Sequence, residues 1–355
     1  MSSILTRPGT LPRRSLLGLA TGLALEPATR LQAQTANIEA RTSPKLAPSL
    51  YELVVSATID RVLVASAGTR EGGAAILAVD PRSLAVTNRM DLPEAGFGLG
   101  LNDRSGRLYI GHTRSGAVSV LDIHTGKIVA RLAEGEGAHL REVAVDEANN
   151  RVFVSAFARD KPSAIWVIDG AAHRIAHVIT EGMEGGITGL ALDAGRGLLY
   201  ATALTSNEIL EIKIPANRVL RRFPSGGEGT VNLACDAAGR RIFATNQRSN
   251  TLTVLDAATG ALIRSVPVGE GALGVAFNPD NQHIYVANRR AGTVSVVDGR
   301  RLEVIASPEV GTHPNTIAID RRSGLAYVTN KARQGRRGEA PPEDPKGDTL
   351  SVIQG

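Results

Sequence analysis

Along most of this chain, apolar and polar residues alternate over short runs that end in clusters of Gly, Asn, Asp, Ser or Pro. A period of two puts successive side chains on opposite faces of an extended strand, and the punctuating residues are those that favour turns. In "HIYVANRRAGTVSVVD", His283 to Asp298, two such runs flank an Arg-Arg-Ala-Gly loop and predict a hairpin. No segment of any length repeats its apolar positions every three or four residues, so helices are not expected.

The same hairpin recurs along the chain. "VLVASA", "LYIGHT", "VFVSAF", "LLYATA", "IFATNQ", "IYVANR" and "AYVTNK" align with one another, which makes Leu63, Tyr109, Phe153, Tyr200, Phe243, Tyr285 and Tyr327 equivalent. The steps between them are 46, 44, 47, 43, 42 and 42 residues. Seven residues before each stands Ser56, Asn102, Asp146, Asp193, Asp236, Asn278 or Asp320, closing a short apolar run such as "EVAVD" or "TIAID". A third run follows each hairpin, and most of these end in Asp with a turn behind it. Each unit therefore holds four short strands, and one such sheet has two apolar faces that it cannot bury alone. Seven units around an axis cover each other's faces and leave only short edges. The predicted fold is all-β, a seven-bladed β-propeller of four-stranded blades over residues 49–355. The final "DTLSVIQG" is a third strand without a fourth, so residues before Tyr51 are expected to close the ring by pairing an N-terminal with a C-terminal strand.

The N-terminal segment has a different pattern. "LPRRSLLGLATGLALEPATRLQAQ" carries Arg13-Arg14, a mildly apolar stretch from Leu16 to Leu25, and small residues near Ala33 to Ala36. Residues 1–35 are read as a cleavable export signal that resembles the twin-arginine type, cut near residues 33–36 and delivering the protein to the periplasm. Pro12 and Leu16 depart from the twin-arginine pattern, and a Sec signal with a chance arginine pair is the alternative. Residues 36–48, small, polar and Pro-containing, read as a flexible tether. Arg7, Arg13, Arg14 and Arg30 against Glu26 contribute +3 of the formal +5, so the mature chain is near +2 and bulk charge argues little for nucleic acid. No stretch beyond the signal is apolar enough to span a bilayer. Cys235, the single cysteine, forms no internal disulfide and sits in "NLACD", where a buried inert thiol is expected.

"IYVANRRAGTVSVVD", "LAYVTNK" and "VGTHPNTIAID" resemble the YVTN-repeat β-propeller family over about residues 49–355. The order of "YELVVS", "REVAVD", "SAIWVIDG", "ITGLALD" and "THPN" is similar to a periplasmic branch of that family. The resemblance implies the propeller fold and an exported, non-enzymatic monomer that holds single-stranded DNA without sequence preference.

A propeller gathers its second-to-third-strand loops and the loops inbound to its first strands on one face. The former carry Arg70, Arg114, Arg159 with Lys161, Arg248, Arg289 with Arg290, and Lys331 with Arg333, Arg336 and Arg337. Such a ring of cations suits single-stranded DNA or another polyanion. The inbound loops oppose it with Glu94, Glu134, Glu136, Glu181, Glu184, Glu228, Glu270 and Glu309, which could cancel the ring. Nearer the axis, the residues five and four places before the Asn/Asp position are expected to rim the channel. Among these, Arg141, Glu142, Asn232 and Asn315 offer hydrogen bonds, and Tyr51 and Phe97 offer stacking faces. The candidate ligand-binding set is Tyr51, Phe97, Arg114, Arg141, Glu142, Asn232, Arg248, Arg289, His313, Asn315 and Lys331. No catalytic residue, cofactor or metal is assigned. The alternatives are a propeller enzyme of lactonase or quinoprotein type, which would have to use His139, His313 and Glu142, and a scaffold for another envelope protein.

Overall fold

The computed structural model describes residues 38–134, 138–158, 162–335 and 342–354. The export signal read for residues 1–35 lies outside them. The described strands form seven four-stranded antiparallel sheets. In six of them the strands follow chain order, as in blade six with Ala272–Asn278, His283–Asn288, Thr293–Asp298 and Glu303–Ala306. The first strands of successive blades touch in a closed circle, with Pro314–Ile319 of blade seven against Leu50–Ser56 of blade one.

Blade seven is built from both ends of the chain. Pro314–Ile319, Ala326–Asn330 and Thr349–Gln354 supply three strands, and Glu39–Thr42 supplies the outer one, with Glu39 opposite Gln354. The segment read as a flexible tether thus contains the strand that closes the ring. The C-terminal strand leaves backbone donors and acceptors unpaired, and this stretch satisfies them. Thr42 Oγ1 and Ser351 Oγ lie 2.6 Å apart, and the Ser43 amide donates to Leu350 O at 2.8 Å.

The core lies between blades rather than at the axis. Leu63, Tyr109, Phe153, Tyr200, Phe243, Tyr285 and Tyr327 are all fully buried, and the seven apolar clusters each span one blade interface. Trp166 packs with Tyr109, Val118 and Val120 between blades two and three, as its third-strand position predicts. Tyr327 Oη donates to Pro81 O at 3.1 Å, tying blade seven to blade one across the closure.

Two polar positions of the repeat explain how the inner strands are held. The hydroxyl two residues after the buried aromatic donates to a carbonyl of the next blade: Ser155 to Thr188 O and Thr245 to Leu273 O, both at 2.6 Å, and Thr329 to Tyr51 O at 2.6 Å. Ser155 Oγ also accepts from the Glu142 amide at 3.0 Å and Thr202 Oγ1 from the Gly189 amide at 2.8 Å. Those amides lie where the first strand slips register against the second, between Leu140 and Val143 and between Ile187 and Leu190. A bulge leaves a donor outside the ladder, and the hydroxyl satisfies it. One residue further on, Asn330 Nδ2 donates to Thr349 Oγ1 at 3.0 Å and Ser351 Oγ at 2.8 Å. The Asn amide nitrogens of the repeat therefore join second and third strands, as those of Asn246 and Asn288 do as well.

A basic channel mouth as the candidate functional site

The same register slip builds the rim. It recurs between Leu50 and Leu53, Thr230 and Asn232, Ala272 and Val275, and Pro314 and Ile317. A bulge turns two successive side chains toward one place instead of opposite faces. The pairs Tyr51-Glu52, Arg141-Glu142 and Asn315-Thr316, with Thr188, Val231, Asn232 and Leu273, line a cavity of about 180 Å³ at the mouth of the channel. Large and absent side chains alternate there for a steric reason. A Cβ at Gly98 would collide with Arg141 O, and one at Gly274 with Asn315 O.

A second layer of residues stands above this rim, four places after each buried aromatic. Phe157 and Leu204 belong to this column and line the cavity. Arg289 and Lys331 belong to it as well. Arg289 Nη1 donates to Asn315 Oδ1 at 2.7 Å, and Lys331 Nζ lies 4.4 Å above the Tyr51 ring. The Arg141 guanidinium lies 5.5 Å from the Phe157 ring centre, and Tyr51 meets Phe97 edge to face at 5.2 Å. Three cations thus converge on a mouth walled by aromatic rings, an arrangement suited to phosphate with stacked bases.

Their electrostatic state follows from their surroundings. Burial, then the Arg289 charge, holds the Lys331 amine down to about 8, with Asp348 opposing and Arg141 adding to the fall. Burial also lowers the Arg289 guanidinium. Below them, burial and then the Glu142 charge push Glu52 well above the usual carboxylate range. Burial pushes Glu142 up to about 7, although Asn232 Nδ2 reaches its Oε2 at 3.5 Å. Two carboxyls in one dry space cannot both ionise cheaply, so the floor of the mouth carries less negative charge than its composition suggests.

Four of the inbound glutamates are taken up by other cations, and Glu136 lies outside the described residues. Glu94 pairs with Arg131 at 2.8 Å, Glu184 with Arg222 at 3.3 Å, Glu270 with Arg290 at 3.3 Å and Glu309 with Lys346 at 3.6 Å. Arg141, Arg289 and Lys331 form no salt bridge among the described residues.

No family model matches the chain. It is 30% identical over 232 residues to the uncharacterized protein YncE of Escherichia coli K12, covering 61% of this chain and 64% of that protein. The uncharacterized protein YncE of Salmonella typhi is 29% identical over 230 residues, with the same coverage of 61% and 64%. The chain is a seven-bladed β-propeller that is similar to YncE over this matched region. The matched region spans 64% of these relatives, just under two thirds of their length. Among solved structures, a chain of Kuenenia stuttgartiensis hydrazine synthase superposes with a TM-score of 0.68 at 15% identity, covering 81% of this chain and 94% of that one, which bears on the fold alone.

Within the propeller, the candidate residues divide. Tyr51, Arg141, Glu142, Asn232 and Asn315 line the cavity, Phe97 backs Tyr51, and Arg289 and Lys331 overhang it. His313 faces a neighbouring cleft of about 230 Å³ with Arg289, Arg290 and Arg333, where burial and the adjacent arginines lower its imidazole. Arg114 and Arg248 are exposed and line neither space. They lie one residue beyond the Arg289 and Lys331 column, in the turns that follow Arg107–His112 and Arg241–Asn246. Arg159, Lys161, Arg336 and Arg337 lie outside the described residues. Phe157 was missed although it shares the column of Arg289 and Lys331; aligning that column alone would have found it. His139 is exposed, and no three His, Cys, Asp or Glu side chains come together as a metal-ligand set among the described residues. Cys235 is half-buried rather than buried, and burial first, then Asp193 and Asp236, pushes its thiol up to about 12.

Proposed function

We propose that this protein is exported to the periplasm and holds a polyanion, single-stranded DNA foremost, across the basic mouth of its channel. The observation that carries the reading is the group Arg141, Arg289 and Lys331: three cations that form no ion pair among the described residues, set over Tyr51 and Phe157 while Glu270 and Glu309 pair with Arg290 and Lys346. Cations would take the phosphates and the rings would take base faces, a combination indifferent to sequence. The family resemblance of the repeat supports the same ligand, and the Arg13-Arg14 segment supports export.

The test is fluorescence anisotropy of a labelled single-stranded oligonucleotide at low salt. Saturable binding is expected, weakened at least tenfold in the Arg141→Ala/Arg289→Ala double variant. Absence of binding, or equal binding by the variant, overturns the proposal.

A further inference from the structure

Lys331 stands apart from the other described lysines. Lys213 donates to Arg196 O at 2.8 Å and Lys346 pairs with Glu309 at 3.6 Å, while Lys45 and Lys127 are exposed. Lys331 is half-buried, with its Nζ packed on the Tyr51 ring and neither a hydrogen-bond acceptor nor an ion pair among the described residues. Its backbone is fixed, the amide donating to His313 O at 3.2 Å directly after the strand Ala326–Asn330. An ammonium in such a place is short of water and faces Arg289 and Arg141 with Asp348 alone opposing, which together favour the neutral amine. Beside it lies the cleft of about 230 Å³ lined by Arg289, Arg290, His313, Arg333 and Lys346, in which Glu309 is held by Lys346, wide enough for a phosphate group.

We propose that Lys331 captures carbonyl compounds: it forms a reversible imine with an aldehyde carried on a phosphate ester, whose phosphate rests in the Arg289 cleft. The inference rests on reading the mouth as an anion site. The neutral amine attacks the carbonyl carbon, a C–N bond forms, and the C=O pair moves to oxygen, which takes up a proton. Nitrogen releases its two protons in turn, the hydroxyl takes up a second proton, the C–O bond breaks, and water leaves as the C=N bond forms. Amine and aldehyde give imine and water, so no oxidant or reductant is consumed. With its amine held near 8, roughly a quarter of Lys331 is neutral at pH 7.5, against about one part in a thousand for an ordinary lysine.

Pyridoxal 5′-phosphate is a suitable probe, with its unphosphorylated form as comparator and borohydride to trap the imine as a stable secondary amine. At pH 7.5 the adduct is expected on Lys331 at least tenfold ahead of Lys45 or Lys127, read by peptide mass. Lys331→Arg should abolish that adduct with unchanged Tm, and Arg289→Ala should slow the phosphorylated probe more than its comparator. Labelling in proportion to exposure, with Lys45, Lys127 and Lys346 ahead of Lys331, overturns the proposal. Equal reaction of the two probes overturns the phosphate cleft. Oligonucleotide binding, measured separately, keeps the two readings apart: selective labelling without DNA binding would sink the polyanion reading and leave the imine standing.

Discussion

The turns on one face of the propeller and the channel mouth on the other use arginine in opposite ways. On the face where first strands end, the repeat's Asp captures an arginine from its own turn: Arg196 on Asp193 and Arg241 on Asp236 at 2.8 Å, and Arg322 on Asp320 at 3.1 Å. Those carboxylates are nearly buried and accept backbone N–H bonds as well, as Asp236 does from Gly239 at 2.9 Å. Such pairs serve the turn. On the other face, Arg141, Arg289 and Lys331 meet amides and rings instead of carboxylates. Similar residue types therefore give structure where they close an ion pair with an acid and leave a site where, among the described residues, they close none. Paired charge contributes to the fold; unpaired charge on a rigid rim is available to a ligand.

Substitutions can break this contrast, and the largest effect is expected at the mouth. Arg141→Glu with Lys331→Glu should weaken oligonucleotide binding more than 100-fold, roughly 3 kcal/mol, while Arg290→Glu changes it several-fold at most, because Arg290 already pairs with Glu270. Arg241→Ala on the other face should leave binding unchanged and cost about 2 kcal/mol of stability, since it strands the nearly buried Asp236; Asp236→Asn in addition should restore part of it in a denaturation series. Thr245→Val, which leaves Leu273 O without its donor, should cost about 1 kcal/mol with affinity intact.

A smaller effect comes from the acids of the floor. Glu142 is raised to about 7, so the folded state holds its proton more tightly than the unfolded chain, and stability falls as pH rises from the ordinary carboxylate range through 7. Glu142→Gln should remove that part of the decline, measured as Tm between pH 5 and 8. It should also hold oligonucleotide affinity steadier over the same range, because no charge then appears beneath the phosphates. If the variant keeps the wild-type pH profile, the buried acid is not what titrates. Smallest of all, Arg114→Ala and Arg248→Ala should each shift affinity by less than about twofold, as exposed residues off the mouth.

The fold was legible because one unit recurs seven times, and each copy confirms the strand period of the others. The closing strand was legible only as a need: "DTLSVIQG" lacks a neighbour, yet nothing in Glu39–Thr42 marks it as strand, because an outer strand buries little and its pattern is weak. The rim was legible from the column containing Arg141 and Asn315, since register is shared across blades. What escaped was direction and partnership. Arg289 and Arg290 are adjacent in the chain, but one overhangs the channel and the other reaches Glu270. Whether the glutamates cancel the arginines depends on which side chains meet across loops of different blades, and repeat alignment does not carry that information.

The most direct measurement of the central claim is the salt dependence of single-stranded oligonucleotide binding, taken on the wild type and on the Arg141→Ala/Arg289→Ala variant. Each cation that meets a phosphate adds roughly 0.7 to the steepness of log affinity against log salt on single strands. The account predicts a steep fall for the wild type and a slope shallower by about 1.4 in the variant. A slope unchanged by the two substitutions, or binding insensitive to salt, would contradict it.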